Sequence, residues 1–165
     1  MHTIPHLVLA NAQRIPDMPA LRRRADSAWV STSWSEYAEA VIRTAKAMIA
    51  SGIEVGDRVA ILSYNTPEWV IFDVAAMAIG AIPAGIYFSS SREEIADLLD
   101  QSDARIVLAG TQALANKVNP ASHPSLEVVV GVEGTPAGGL SWQSFQERGS
   151  GVSESLVEER LAGLH

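Results

Sequence analysis

The residues whose types and spacing suit them to ligand chemistry lie in Ile79-Gly80-Ala81-Ile82-Pro83-Ala84-Gly85-Ile86-Tyr87-Phe88-Ser89-Ser90-Ser91-Arg92-Glu93-Glu94. An apolar run breaks there into two rings, three hydroxyls, a guanidinium and a pair of acids. A ring can stack on a heteroaromatic group, and a hydroxyl both donates and accepts hydrogen bonds. A purely structural role is equally specific for part of the stretch. Ser91 and Glu94 have the spacing of a capping box, in which the serine hydroxyl takes the amide three residues on and the acid reaches back to the serine amide. That accounts for Ser91, and leaves Ser89 and Ser90 either to finish a turn or to face a ligand.

Other reactive groups are sparse. The chain has no cysteine, which excludes disulfides, thiolate nucleophiles and cysteine-based metal sites and leaves the redox compartment open. The four histidines, His2, His6, His123 and His165, are dispersed near termini and loops without a His-Glu-x-x-His pattern. They are expected to be solvated loop residues, not metal ligands. No Gly-x-Ser-x-Gly elbow anchors a hydrolase triad. The segment Gly131-Val132-Glu133-Gly134-Thr135-Pro136-Ala137-Gly138-Gly139-Leu140 follows an expected strand, as a phosphate loop would. It lacks a Gly-Lys-Ser/Thr ending, Glu133 would repel phosphate and Pro136 removes an amide donor, so a surface loop is expected. Asp57 suits a turn cap, while Asp73 is a lone acid on an apolar helix that needs a partner.

The elements that must position these residues follow from periodicity. Ile4, Leu7, Val8 and Ala12 predict a leading helix over 3–14, ended by Pro16 and Pro19. Arg22-Arg23-Arg24 beside Ala20-Leu21 reads as an exposed strand, and Trp29-Val30 as a second short extended piece. Ser33-Trp34-Ser35-Glu36 opens a helix to about Ser51, with Tyr37, Val41, Ala45 and Met48 on one face and Gly52 as its stop. Arg58 to Leu62 is apolar without alternation, as in a parallel strand covered on both faces. Asn65-Thr66-Pro67-Glu68 starts an apolar helix over 67–79, which Gly80 closes. A strand over 83–87, a helix from Ser91, a strand over 105–109, a short helix over 111–117 and a strand over 126–130 follow, with a last helix over 152–164 capped by Ser153. This alternation specifies right-handed crossovers and a layered α/β fold with a parallel sheet flanked by helices. Ligands of such folds sit at the carboxyl edge of the sheet, where the serine run falls.

Composition narrows the partners. With 165 residues and 47% hydrophobic content the chain can bury a sizeable core, and a net charge of −7 disfavours nucleic acid. The longest apolar run, Trp69 to Ile82, is interrupted by Asp73 and falls short of the roughly 20 residues that span a bilayer. The start Met1-His2-Thr3-Ile4-Pro5-His6-Leu7 lacks the basic and apolar regions of a signal peptide, so a cytoplasmic location is the expectation. The ending Leu161-Ala162-Gly163-Leu164-His165 makes no convincing domain end, which leads one to expect that the polypeptide continued.

Five ordered blocks, Thr32-Ser33-Trp34-Ser35-Glu36-Tyr37, Gly56-Asp57-Arg58-Val59-Ala60-Ile61, Asn65-Thr66-Pro67-Glu68-Trp69, Gly80-Ala81-Ile82-Pro83-Ala84-Gly85-Ile86-Tyr87 and Ala104-Arg105-Ile106-Val107, resemble the N-terminal region of adenylate-forming, AMP-binding acyl-CoA ligases. The resemblance covers residues 3 to about 130, and its Gly-Ile-Tyr plus serine-run wording is most similar to the long-chain fatty acid and bubblegum-type branch. It implies a partial N-terminal ligase domain over 1–165, with a leading helix and strands over 1–32, an α/β core over 33–130 and a loop and terminal helix over 131–165. It also implies a two-step reaction. ATP and a fatty acid give an acyl-adenylate and pyrophosphate, magnesium bridging the ATP phosphates, and the CoA sulfur then displaces AMP.

The family's Thr-Ser-Gly-Thr-Thr-Gly-Lys phosphate loop, its Tyr-Gly-x-Thr-Glu motif, its ribose-binding aspartate and its C-terminal catalytic lysine have no counterpart among these residues. The expectation is therefore a piece that holds no catalytic residue and does not adenylate by itself. By position, the resemblance assigns the CoA side to Tyr87 as a ring for adenine, Ser89 as a small residue permitting close approach, and Lys117 as a cation for phosphate. The alternative is a stand-alone binding or dimerisation module derived from such a ligase, pairing through exposed apolar surface, with peripheral membrane proximity as a further expectation.

Overall fold

A computed structural model describes residues 3–164, so His2 and His165 lie outside the described residues. The leading helix α1 spans Ile4–Arg14, and β1 (Pro19–Ala25) pairs antiparallel with β2 (Ala28–Ser33) as a two-stranded ribbon. The second extended piece is thus a full partner strand, because Arg24 pairs with Trp29 and the pairing runs on to Ser33. Helix α2 (Trp34–Ala50) starts in the expected capping box, the Ser33 hydroxyl accepting from the Glu36 amide and the Glu36 carboxylate from the Ser33 amide. Its apolar face, including Val41, Ala45 and Met48, is buried.

The main sheet is parallel throughout, with β3 (Arg58–Leu62), β4 (Ile82–Ile86), β5 (Ile106–Ala109), β6 (Val128–Gly131) and β7 (Leu140–Ser141) in the order β4-β3-β5-β6-β7. Helix α3 (Pro67–Ala78) links β3 to β4, α4 (Arg92–Ser102) links β4 to β5, and α5 (Gln112–Ala115) lies between β5 and β6. The alternating residues of the strands divide the core in two. Val59, Ile61, Ile106, Leu108 and Val130 pack with α2 and α3 on one face. Ala60, Leu62, Val107, Ala109 and Val129 pack with α4 and α5 on the other. Because β4 and β5 flank β3 on opposite sides and their crossover helices lie on opposite faces, the winding reverses between β3 and β5. The carboxyl ends of those two strands diverge into a crevice, the usual ligand position of a doubly wound sheet.

Over residues 131–164 the structure has the terminal helix and adds two short elements to the expected loop. The glycine segment folds back to lay β7 beside β6, and α6 (Trp142–Glu147) follows before α7 (Glu154–Ala162). A Cβ on Gly139 would overlap the Val129 carbonyl, so the close approach of this loop to β6 requires glycine. The signal missed was short: Ser141 caps α6 by accepting from the Ser144 amide, and Phe145 of this helix is wholly buried against Phe72, ring centroids 6.3 Å apart. Val157 and Leu161 of α7 are buried as well.

The amino edge of the sheet is held by charge. Arg105, just before β5, donates Nη1 to Asp57 Oδ2 at 2.6 Å and to the Gly52 carbonyl at 2.7 Å, and its Nη2 pairs with Glu127 before β6. Arg58 donates to the Ser102 carbonyl at 2.6 Å and to Asp103 at 2.9 Å, while Arg160 of α7 reaches the Ile53 carbonyl at 2.7 Å and Glu54 at 2.9 Å. Burial works against the Asp57 carboxylate, but hydrogen bonds from the Glu54 amide and Arg105, with the charges of Arg105 and Arg58, hold it below the usual carboxylate range. Asp57 is therefore more than a turn cap, since its bond to Arg105 ties the start of β3 to the start of β5.

Candidate functional site

The carboxyl edge carries the residues singled out from the sequence. Strand β4 stops at Ile86, one residue short of the expected end, and Tyr87 stands beyond it, 81% exposed. The Ser90 amide donates to the Tyr87 carbonyl at 3.0 Å and closes a turn over 87–90. Phe88 leans back onto Tyr64, which follows β3, with ring centroids 4.5 Å apart. Ser91 then caps α4, accepting from the Glu94 amide at 3.1 Å while the Glu94 carboxylate takes the Ser91 amide at 2.8 Å. Of the three serines one is structural, and Ser89 remains an exposed residue at the turn.

Helix α5 is shorter than expected, so Lys117 sits past its end, and this freedom lets the side chain cross to the β4 turn. Its ammonium donates to the Ser90 carbonyl at 2.7 Å and lies 3.3 Å from the Phe88 carbonyl, the two carbonyls that flank Ser89. In the reverse direction Arg92, the first residue of α4, donates Nη1 to the Asn116 carbonyl beside Lys117. The structure thus brings Lys117 to the turn that holds Tyr87 and Ser89. An ammonium has three donors, and here two carbonyls take up only part of that capacity. An exposed ring, a small residue and a cation held by backbone oxygens make a surface suited to an aromatic group bearing a phosphate.

Two titratable residues, His123 and Asp73, differ from the sequence expectation or sharpen it. His123 is a buried residue, 5% exposed, with Nδ1 2.6 Å from Asp100 of α4, which corrects its reading as a solvated loop histidine. The pairing spans chain segments far apart, so no local pattern announced it. Asp73 is half-buried on α3, and burial pushes its carboxyl above the ordinary range. Its charge acts on Tyr37, whose hydroxyl is pushed up to about 12 by burial and then by the Asp73 carboxylate. Among the described residues no group of three histidines or acids converges as a cation site, so the magnesium that the resemblance implies has no donor set among them.

An open, doubly wound α/β unit of this kind is the N-terminal fold of the acyl-CoA ligases. An acetoacetyl-CoA synthetase of Streptomyces lividans shares it with a TM-score of 0.78 at 20% identity, over 86% of this chain and 24% of that one. The chain belongs to the AMP-binding enzyme family, whose model matches residues 8–162. It is 31% identical over 160 residues to the long-chain-fatty-acid–CoA ligase FadD15 of Mycobacterium bovis, across 96% of this chain and 26% of that protein. It is 28% identical over 173 residues to the long-chain-fatty-acid–CoA ligase heimdall of Drosophila melanogaster, across 97% of this chain and 25% of that protein. The chain therefore spans about a quarter of the length of the curated relatives it matches. Among the described residues no helix is long and apolar enough to cross a membrane.

Proposed function

We propose that these residues form the CoA-side wall of a fatty acid–CoA ligase, with Tyr87 stacking on the CoA adenine, Ser89 leaving room beneath it and Lys117 meeting a CoA phosphate. The observation that carries this reading is the seat of Lys117, whose ammonium rests on the carbonyls either side of Ser89 in the turn that exposes Tyr87. That the relatives from Mycobacterium bovis and Drosophila melanogaster are long-chain-fatty-acid–CoA ligases supports fatty acid as the acyl substrate. ATP and magnesium belong to motifs that these residues do not contain, so on this reading the 165-residue chain binds CoA without adenylating a fatty acid.

Isothermal titration of the 165-residue chain with CoA and with dephospho-CoA tests the reading. The expected result is CoA binding that falls about tenfold in Lys117→Ala, the loss of one charge-assisted contact, and by a similar factor in Tyr87→Ala. Dephospho-CoA should bind more weakly and be indifferent to Lys117→Ala. CoA affinity equal in the wild type and both variants would overturn the assignment, and pyrophosphate release from ATP and a fatty acid by the isolated chain would overturn its non-catalytic half.

A further inference from the structure

A second cation closes the turn that carries Tyr87 and Ser89. Arg92 is the first residue of α4. A cation in the first turn opposes the helix dipole, which favours the acids Glu93 and Glu94 that follow it, so helix energetics do not account for an arginine there. Nor does ion pairing, since among the described residues its guanidinium makes no salt bridge with either acid or with any other. Its partner is the carbonyl of Asn116, to which Nη1 donates from 24 positions away in the chain.

Asn116 caps the carboxyl end of α5, and the last carbonyls of a helix have no partner within it. A guanidinium on such a carbonyl fixes the end of α5, and Lys117 is the next residue. From there the Lys117 ammonium runs the opposite way, to the Ser90 carbonyl at 2.7 Å and the Phe88 carbonyl at 3.3 Å. The two cations therefore cross between the same two segments, 88–92 and 116–117, each seated on the backbone that carries the other. Two more ties reach α4 from the same stretch of chain, His123 to Asp100 and Ser125 to Asp103, but both lie at the far end of the helix. Arg92 is the tie from α4 that holds the backbone beside Lys117. Ordering a long side chain on binding lowers affinity about two- to tenfold, a loss that a side chain already seated avoids. We propose that Arg92 is a positioning residue for the CoA phosphate: through the Asn116 carbonyl it keeps Lys117 seated on the Phe88 and Ser90 carbonyls, with one ammonium donor left for the ligand. The inference rests on the CoA reading of Lys117 and assigns Arg92 no contact with CoA.

The experiment has two arms. Lys46 and Lys117 are the only lysines of the chain, so Lys46 on α2 is an internal reference for limited labelling with acetic anhydride, read by mass spectrometry. An ammonium must leave its carbonyls before its nitrogen can attack the reagent. The ratio of Lys117 to Lys46 labelling is expected to rise about threefold in Arg92→Gln, to return part of the way in Arg92→Lys, and to stay unchanged in Ser125→Ala, which cuts a tie of the same segment at the far end of α4. No rise in Arg92→Gln overturns the proposal, as does an equal rise in Ser125→Ala, which would be general loosening of the segment. The second arm is calorimetric titration with CoA and dephospho-CoA. Arg92→Gln should weaken CoA about threefold in the wild-type background, add no loss in the Lys117→Ala background, and leave dephospho-CoA unchanged. A loss that persists in full beside Lys117→Ala would make Arg92 a direct contact and overturn its positioning role. CoA affinity indifferent to Lys117→Ala defeats the CoA reading instead, and the labelling ratio still decides whether Arg92 seats Lys117. Arg92 is exposed, so unchanged circular dichroism is expected in both of its variants.

Discussion

The two edges of the parallel sheet hold similar residue types and use them in opposite ways. At the amino edge Arg58, Arg105 and Arg160 each reach both a carboxylate and a backbone carbonyl, so their charges are consumed in tying strand starts and loops together. At the carboxyl edge Arg22, Arg23 and Arg24 make no hydrogen bond or ion pair among the described residues, Tyr87 and Trp29 are exposed, and Lys117 spends only part of its donor capacity on carbonyls. A cation whose donors are filled by the protein stabilises the fold; one left unfilled at the divergent end of a doubly wound sheet is available to a ligand. The difference lies in what surrounds each charge, not in the charge.

The comparison predicts that substitutions at the amino edge cost stability and those at the carboxyl edge cost binding. The largest expected effect is Arg105→Ala, which leaves Asp57, Glu127 and the Gly52 carbonyl without their partner. A loss of about 2 kcal/mol is expected, a fall of roughly 4–8 °C in Tm by calorimetry, with CoA affinity retained. Gly110→Ala would sharpen the contrast from the other side. A Cβ against Ser63 at the carboxyl edge overpacks a tight backbone approach and should cost about 1–3 kcal/mol in urea unfolding, making it a structural exception on the binding edge. Lys117→Ala is expected to cost below about 1 kcal/mol, since its ammonium is partly exposed, while reducing CoA affinity about tenfold. A large Tm loss in this variant with unchanged CoA binding would break the comparison.

The smallest effects are in pH. The Asp57 carboxyl is depressed in the folded chain, so its contribution is present above the ordinary carboxylate range and is lost as pH falls through its folded value. Stability of the wild type should therefore decline below about pH 4, and Arg105→Ala should show a weaker acid decline. Asp73 has the opposite sign. Its folded value is raised, so the carboxyl favours folding only while protonated, and that benefit disappears as pH rises through the folded value. Asp73→Asn should raise Tm slightly at pH 7 and have no stabilising effect at pH 3, which a pair of thermal melts would check.

Much of this fold could be read in advance because its signals are local. Capping boxes at Ser33 and Ser91, the proline at the start of α3 and the unalternating runs of β3, β5 and β6 each need only a few neighbouring residues. Short elements were the ones missed, since β7 exists only by pairing with β6 and α6 is too brief to show a period. The candidate site divides in the same way. Ser91 was legible as a cap, and Tyr87, Ser89 and Lys117 were reached through resemblance. The seat of Lys117 on the Phe88 and Ser90 carbonyls depended on a helix ending early. The His123–Asp100 pair and the Tyr64–Phe88 stack left no trace in the sequence at all.

By itself, then, the sequence determined the alternation of helices and strands and with it the parallel sheet, because caps and apolar periods close within a turn or a strand, while the family came through the resemblance of five ordered blocks. Only the tertiary structure decided which cations are spent and which are free. A guanidinium in Arg105 and one in Arg23 are the same group in the chain, and pairing depends on acids and carbonyls brought near by crossovers tens of residues long.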